Sequence, residues 1–129
     1  MDFARLSAVR ERYMQDGLPI RLGGLAANLM RIASVAVASV ADHPANRQVV
    51  DSLLEESKFF IEWTAPDASI DEQEALVELQ IRLALWQLRW YPDSNDPVKR
   101  AHLVQEVRAW AAQVLEMSGL LGDVGRDAQ

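Results

Sequence analysis

The side chains with which this chain could do chemistry are two histidines, nineteen Asp and Glu residues, scattered serines and four tryptophans; there is no cysteine. That absence excludes a disulfide scaffold, a thiolate zinc site, an iron–sulfur cluster and a Cys nucleophile. A di-iron bundle needs inward glutamates and Glu-x-x-His on two helices. Lys99 stands three residues before His102 and Val40 three before His43, so neither histidine has the required Glu. All-helical nucleotide pyrophosphatases hold Mg²⁺ with E-x-x-E and E-x-x-D pairs, and here no Glu has an acid three residues on: Glu56 is followed by Phe59, Glu72 by Ala75, Glu74 by Val77. Helical RNases use an Arg followed a few residues later by His, and Arg100-Ala101-His102 is too short to put both on one face. Ser7, Ser34, Ser39, Ser52 and Ser57 have no His or Lys spaced to activate them as nucleophiles. Glu55, Glu56, Glu62 and Glu78 read as an exposed acidic face, since no Asp-rich loop offers a calcium geometry. Gly23-Gly24 has neither the preceding strand nor the Lys-Ser/Thr of a P-loop, and reads as a place where a helix approaches its neighbour closely. No metal and no cofactor is expected, and no catalytic residue is assigned.

The aromatic residues are the remaining lead. Trp86 and Trp90 lie one helical turn apart and Tyr91 follows; Trp63 and Trp110 could converge on them or lie at other levels. Core packing with the indole N–H satisfied is the first reading. The alternative is a ligand pocket walled by Trp63, Trp86, Trp90 and Trp110, with His102 or Arg89 as its polar handle.

These residues must be positioned by helices. Phe3 to Gln15 carries Phe3, Leu6, Val9 and Tyr13 or Met14 on one face, and Gly17-Leu18-Pro19 ends it. A second helix starts near Pro19 with Leu22, Leu25, Leu29, Ile32, Ala36 and Val40 inward, and Asp42-His43-Pro44 stops it. The third spans Pro44 to Thr64, with Val50, Leu53, Ser57, Phe60 and Thr64 on its seam and Val49, Leu54 and Ile61 beside it. Ser69 and Glu72 form a capping box that launches the fourth. Tyr91 to Asn95 reads as a loop, and Asp96-Pro97 opens a fifth helix that ends near Ser118 before Gly119. No alternating strand pattern competes. The expected fold is all-α, an up-down-up-down four-helix bundle with a short additional N-terminal helix, as one domain over residues 1–121 with a flexible tail over 122–129.

The fourth helix is the most informative of the five. Leu76, Leu79, Leu83, Trp86 and Trp90 make an a/d seam, while Val77, Ile81, Ala84, Leu85 and Leu88 make the opposite side apolar as well. A helix of this kind needs cover on two sides. The second cover is either the first helix or another chain.

The net charge is −6, and residues 51–78 hold nine acids against Lys58 alone, so a phosphate backbone would be repelled and no nucleic acid is expected. The first 31 residues carry five Arg against three acids, a polarity that could align an antiparallel partner or simply face solvent. The charged start does not read as a signal peptide. The apolar run from Ile32 to Ala41 is shorter than the about 20 residues of a membrane span, so a cytoplasmic protein is expected.

At Ser52-Leu-Leu-Glu-Glu-Ser-Lys-Phe-Phe-Ile-Glu-Trp63 and Arg108-Ala-Trp-Ala-Ala-Gln-Val-Leu-Glu-Met-Ser-Gly-Leu-Leu121 the chain resembles small uncharacterised all-helical proteins of cyanobacteria. The resemblance implies a cytoplasmic bundle and supplies no activity, cofactor or site residue. Function therefore rests on the residues. The first reading is a non-enzymatic bundle acting through protein–protein interaction as a homodimer, with Ile81, Leu85, Leu88, Trp90 and Tyr91 at the interface. The second is the small-molecule binder, or an enzyme built on its Trp-lined pocket.

Overall fold

The computed structural model describes residues 2–38 and 44–120. Five α-helices follow one another: α1 Phe3–Met14, α2 Leu18–Ala38, α3 Pro44–Thr64, α4 Ile70–Asp93 and α5 Pro97–Ser118, with one 3₁₀ turn, Ala65–Asp67, between α3 and α4. Helices α2 to α5 form the up-down-up-down bundle. The start of α2 meets the end of α3 through Arg21 and Trp63, and the start of α3 meets the end of α4 through Asp51 and Tyr91. The end of α4 meets the start of α5 through Trp86 and Leu103. Helix α5 closes the ring against α2.

Local chemistry sets the helix ends. The Ser69 hydroxyl accepts from the Glu72 amide at 3.2 Å and the Glu72 carboxylate accepts from the Ser69 amide at 2.9 Å, the reciprocal capping box. Asp96 caps α5 by accepting from the amides of Val98 and Lys99, with Pro97 at the first helical position. Gly119, at φ 76°, ends α5 in the left-handed conformation that costs glycine least. The fourth helix runs further than its sequence suggests. Tyr91, Pro92 and Asp93 belong to α4 rather than to a loop. In the last turn Pro92 forfeits its own backbone donor, yet the ladder resumes beyond it where the Ser94 amide donates to the Trp90 carbonyl at 3.0 Å. The stop at Asp42-His43, Val40 on the inward face of α2, and the tail 122–129 lie outside the described residues.

The core is one cluster running the length of the bundle. Leu22, Leu25, Leu29, Ile32 and Ala36 of α2 face Val104, Val107, Ala111 and Val114 of α5, and all are buried. Small side chains let these two helices pack closely. At Gly23 a Cβ would come within 3.2 Å of Leu120 Cδ1, so close approach is what that glycine supplies. Val50, Leu54, Ser57, Phe60, Ile61 and Thr64 of α3 are buried, Leu53 partly so, and Val49 faces out. By length and composition alone α2 is apolar enough to cross a membrane, and half of it is buried inside the bundle.

Helix α1 lies at the end of the bundle formed by the start of α2 and the end of α3. Its one buried residue is Tyr13, stacked on Phe60 with ring centroids 4.0 Å apart. The Tyr13 hydroxyl donates to the Arg21 carbonyl at 2.8 Å, which leaves it to accept from Thr64 Oγ1 at 2.8 Å. Burial pushes the Tyr13 phenol up to about 12. Phe3, expected on the packed face of α1, is instead almost wholly exposed, while Leu6, Val9 and Met14 are half-buried.

Candidate functional site

Helix α4 presents four different faces. At about 100° per residue, Leu76, Leu79, Leu83, Trp86 and Trp90 form one line, and all five are buried. Trp86 and Trp90 stack in parallel, centroids 5.3 Å apart, and Trp86 donates its indole N–H to the Leu103 carbonyl at 3.0 Å. The Trp90 indole nitrogen and Ser94 Oγ, equally buried, have no hydrogen-bond partner among the described residues.

The edge toward α3 is a glutamine ladder with seven-residue spacing. Gln73 donates to the Ala68 carbonyl, Gln80 to the Lys58 carbonyl and to Glu62, and Gln87 to Asp51 while accepting from Lys58. Tyr91 completes this edge by donating to Asp51 at 2.8 Å, and that bond raises its phenol above the ordinary value. The edge toward α5 is charged. Arg82 pairs with Glu78 at 2.6 Å, and Arg89 grips Glu106 with both terminal nitrogens at 3.1 and 2.6 Å. The Glu106 hydrogen bonds raise the Arg89 guanidinium above its ordinary value, so it stays charged throughout the physiological range.

The fourth face looks outward. Val77, Ile81, Leu85 and Leu88 lie within roughly 40° of one another's mean direction, and they are 51, 58, 56 and 70 % exposed. Ile70, at the start of the helix, points the same way and is also exposed, with the exposed Glu74 between it and Val77. Each such side chain, left half in water, forgoes roughly 1 kcal/mol that full burial would supply. Isolated surface leucines need no explanation, but a contiguous apolar stripe rimmed by polar groups marks a contact surface. Helix α1, anchored by Tyr13 on α3, leaves these residues uncovered.

Of the five residues expected at an interface, Ile81, Leu85, Leu88 and Tyr91 are exposed. Trp90 belongs to the opposite side: it is nine residues, hence about half a turn in angle, from Ile81 and wholly buried. It is a core residue and cannot contribute to this surface.

The expected tryptophan pocket does not assemble. Trp63 sits at the other end of the bundle beside Phe59, Phe60 and Tyr13, while Trp86 and Trp90 fill the core near the start of α5. Trp110 borders a separate groove between α4 and α5, with Leu79, Val114 and Met117, about 560 Å³ and open to solvent. The polar groups on its α4 rim, Glu78 and Arg82, are paired with each other. His102 is exposed on α5 and Arg89 is held by Glu106, so neither serves as a handle for a tryptophan cage.

Sequence reasoning missed the polar cluster at the α1 end. Arg21 is buried; one of its nitrogens donates to the Trp63 carbonyl at 3.3 Å and pairs with Asp67 at 3.0 Å. Its Nε has no partner among the described residues. The cluster ties α1, α2 and the 3₁₀ turn together, which is a structural task. Among the described residues no group of three potential ligands surrounds a metal position. Comparison of the chain with protein-family models, with curated proteins and with solved structures gives no match.

Proposed function

We propose that this protein is a non-enzymatic interaction module of the cytoplasm, a helical bundle that self-associates as a homodimer through the outward face of α4. One observation supports the reading: Val77, Ile81, Leu85 and Leu88 form an unbroken exposed apolar line on a helix whose opposite side is fully buried. The two edges of α4 are hydrogen-bonded or ion-paired to α3 and α5, so the stripe is held rigidly on the outside. A fixed apolar surface needs little ordering on association, which lowers the entropic cost of binding.

The test is the mass of the protein in solution and its response to substitution. Leu85→Glu and Leu88→Glu each put a charge in the stripe and should convert the dimer to monomer at micromolar concentration. Gln105→Glu, on an exposed position of α5, should leave the mass unchanged. A wild-type monomer, or dimers indifferent to both leucine substitutions, would refute the proposal.

The alternative, a small-molecule binder or an enzyme, has one observation behind it, the groove beside Trp110. Its volume falls within the range of ligand sites. A metabolite, nucleotide and pigment panel that left tryptophan fluorescence of the wild type and of Trp110→Phe equally unmoved would remove that support.

A further inference from the structure

Helix α1 is joined to the rest of the molecule by very little. Among its residues only Tyr13 is buried; Leu6, Val9 and Met14 are half-buried and the rest are exposed. Every other buried side chain of the core cluster comes from α2 to α5, so those four helices have a hydrophobic core without α1. No ion pair among the described residues reaches α1 from the bundle. We propose that α1 is a strap with Tyr13 as its single catch: it opens from the end of the bundle as a local event while α2 to α5 stay folded.

The catch is compact. The Tyr13 ring lies on Phe60 with centroids 4.0 Å apart and planes within 12°, and it tilts against Trp63 at 5.9 Å. Its hydroxyl links the Arg21 carbonyl to the Thr64 hydroxyl, each at 2.8 Å. One further bond is weak, from Arg21 Nη1 to the Met14 sulfur at 3.5 Å. All of these contacts belong to the last turn of α1. Between the 85 % exposed Phe3 and Arg12, the helix offers the bundle only the flanks of Leu6 and Val9. Arg21 keeps its bonds to the Trp63 carbonyl and Asp67 when the strap leaves, because neither involves α1.

Undocking and unwinding are one event. A helix of 12 residues is marginal in water on its own. Released from Phe60, α1 therefore returns to coil and regains the backbone entropy of its residues. That gain offsets much of what one buried tyrosine and its hydrogen bonds contribute. Segments with few buried contacts open at free energies below that of global unfolding. The hinge is Gln15-Asp16-Gly17, exposed throughout, where the Gln15 and Asp16 amides make long bonds of 3.3 Å back into α1. The open form is a four-helix bundle with Phe60 bared at one end and the chain up to Asp16 free.

Native-state hydrogen exchange of the full chain tests the strap. The informative amides are those of Arg10 to Met14, next to the catch, because fraying from Phe3 leaves them protected. After correction for intrinsic rates they should exchange about a hundredfold or more faster than the amides of Leu25, Leu29, Val107 and Ala111, and should be insensitive to low denaturant. Tyr13→Phe keeps the ring stack, removes both hydroxyl bonds and should speed α1 exchange about tenfold. Phe3→Ser, at an exposed position, should change it by less than about twofold. Equal protection of α1 and core amides, with the same steep denaturant dependence, would make α1 part of the global unit and overturn the inference. Exchange of Arg10 to Met14 at the rate of an unstructured chain would mean that no strap is closed, and would overturn it as well. An unchanged α1 rate in Tyr13→Phe would show that Tyr13 is not the catch.

Discussion

The inward and outward faces of α4 are made of similar side chains and meet opposite fates. Leu76, Leu79, Leu83, Trp86 and Trp90 are buried between α3 and α5, while Val77, Ile81, Leu85 and Leu88, one or two residues away along the same helix, stand in water. Hydrophobicity alone does not distinguish them. The seam next to the glutamine ladder on one edge and the ion pairs on the other fixes which side faces the bundle. The apolar residues left over then form a coherent stripe on the outside of the helix.

The largest expected effect comes from the inward face. Leu83→Ala should destabilise the protein by about 2–5 kcal/mol through lost burial and a residual cavity. Leu85→Ala should change the stability of the monomer by less than about 1 kcal/mol, as for a surface position away from special contacts. Denaturant unfolding of both variants, at concentrations below dimerisation, measures the contrast. Equal losses would erase the distinction between the faces.

Tyr13→Phe sharpens the comparison from a distance. It removes the hydrogen bonds to the Arg21 carbonyl and Thr64 and should cost about 1–2 kcal/mol, without altering association, because Tyr13 lies away from the stripe. The same residue sets a pH dependence. Its folded pKa of about 12 lies above the ordinary 10.0, so the neutral phenol contributes stability that is fully present below pH 10. That stability is lost as pH rises through about 12. Unfolding curves across this interval should show a loss that Tyr13→Phe lacks; identical slopes would remove the assignment.

A smaller difference separates the stacked tryptophans. Trp86→Phe sacrifices a hydrogen bond to Leu103, whereas Trp90→Phe removes an indole nitrogen with no partner among the described residues. Trp90→Phe should therefore be the milder by about 1 kcal/mol. The reverse order in thermal or chemical unfolding would contradict the contact pattern of this face.

Much of the architecture is legible in the residue order because helix ends and seams are local properties. Ser69 with Glu72, Asp96 with Pro97, and Gly119 act on neighbouring backbone groups, and the 3.6-residue period of α4 assigns its buried seam. Pro92 misleads because its missing donor and the crowding of its ring against the preceding turn fall at the very end of the helix, where the ladder resumes from Ser94 to Trp90. The helical period itself separates Trp90 from the exposed stripe: nine residues from Ile81 is about half a turn around the helix. The helix order likewise separates the tryptophans, since Trp63 ends one helix and Trp86 and Trp90 end the next, which antiparallel packing sends to opposite ends of the bundle. The burial of Arg21 has no local signal. It depends on Asp67 and Trp63, more than forty residues away in the chain and brought near only by the fold.

The mass of the unsubstituted chain in solution tests the central claim most directly. At tens of micromolar, sedimentation equilibrium should return twice the 14.5 kDa of one chain, and Leu88→Glu should return the single-chain value. A wild-type mass of one chain at that concentration would mean that the outward face of α4 is solvated surface and not an interface between copies.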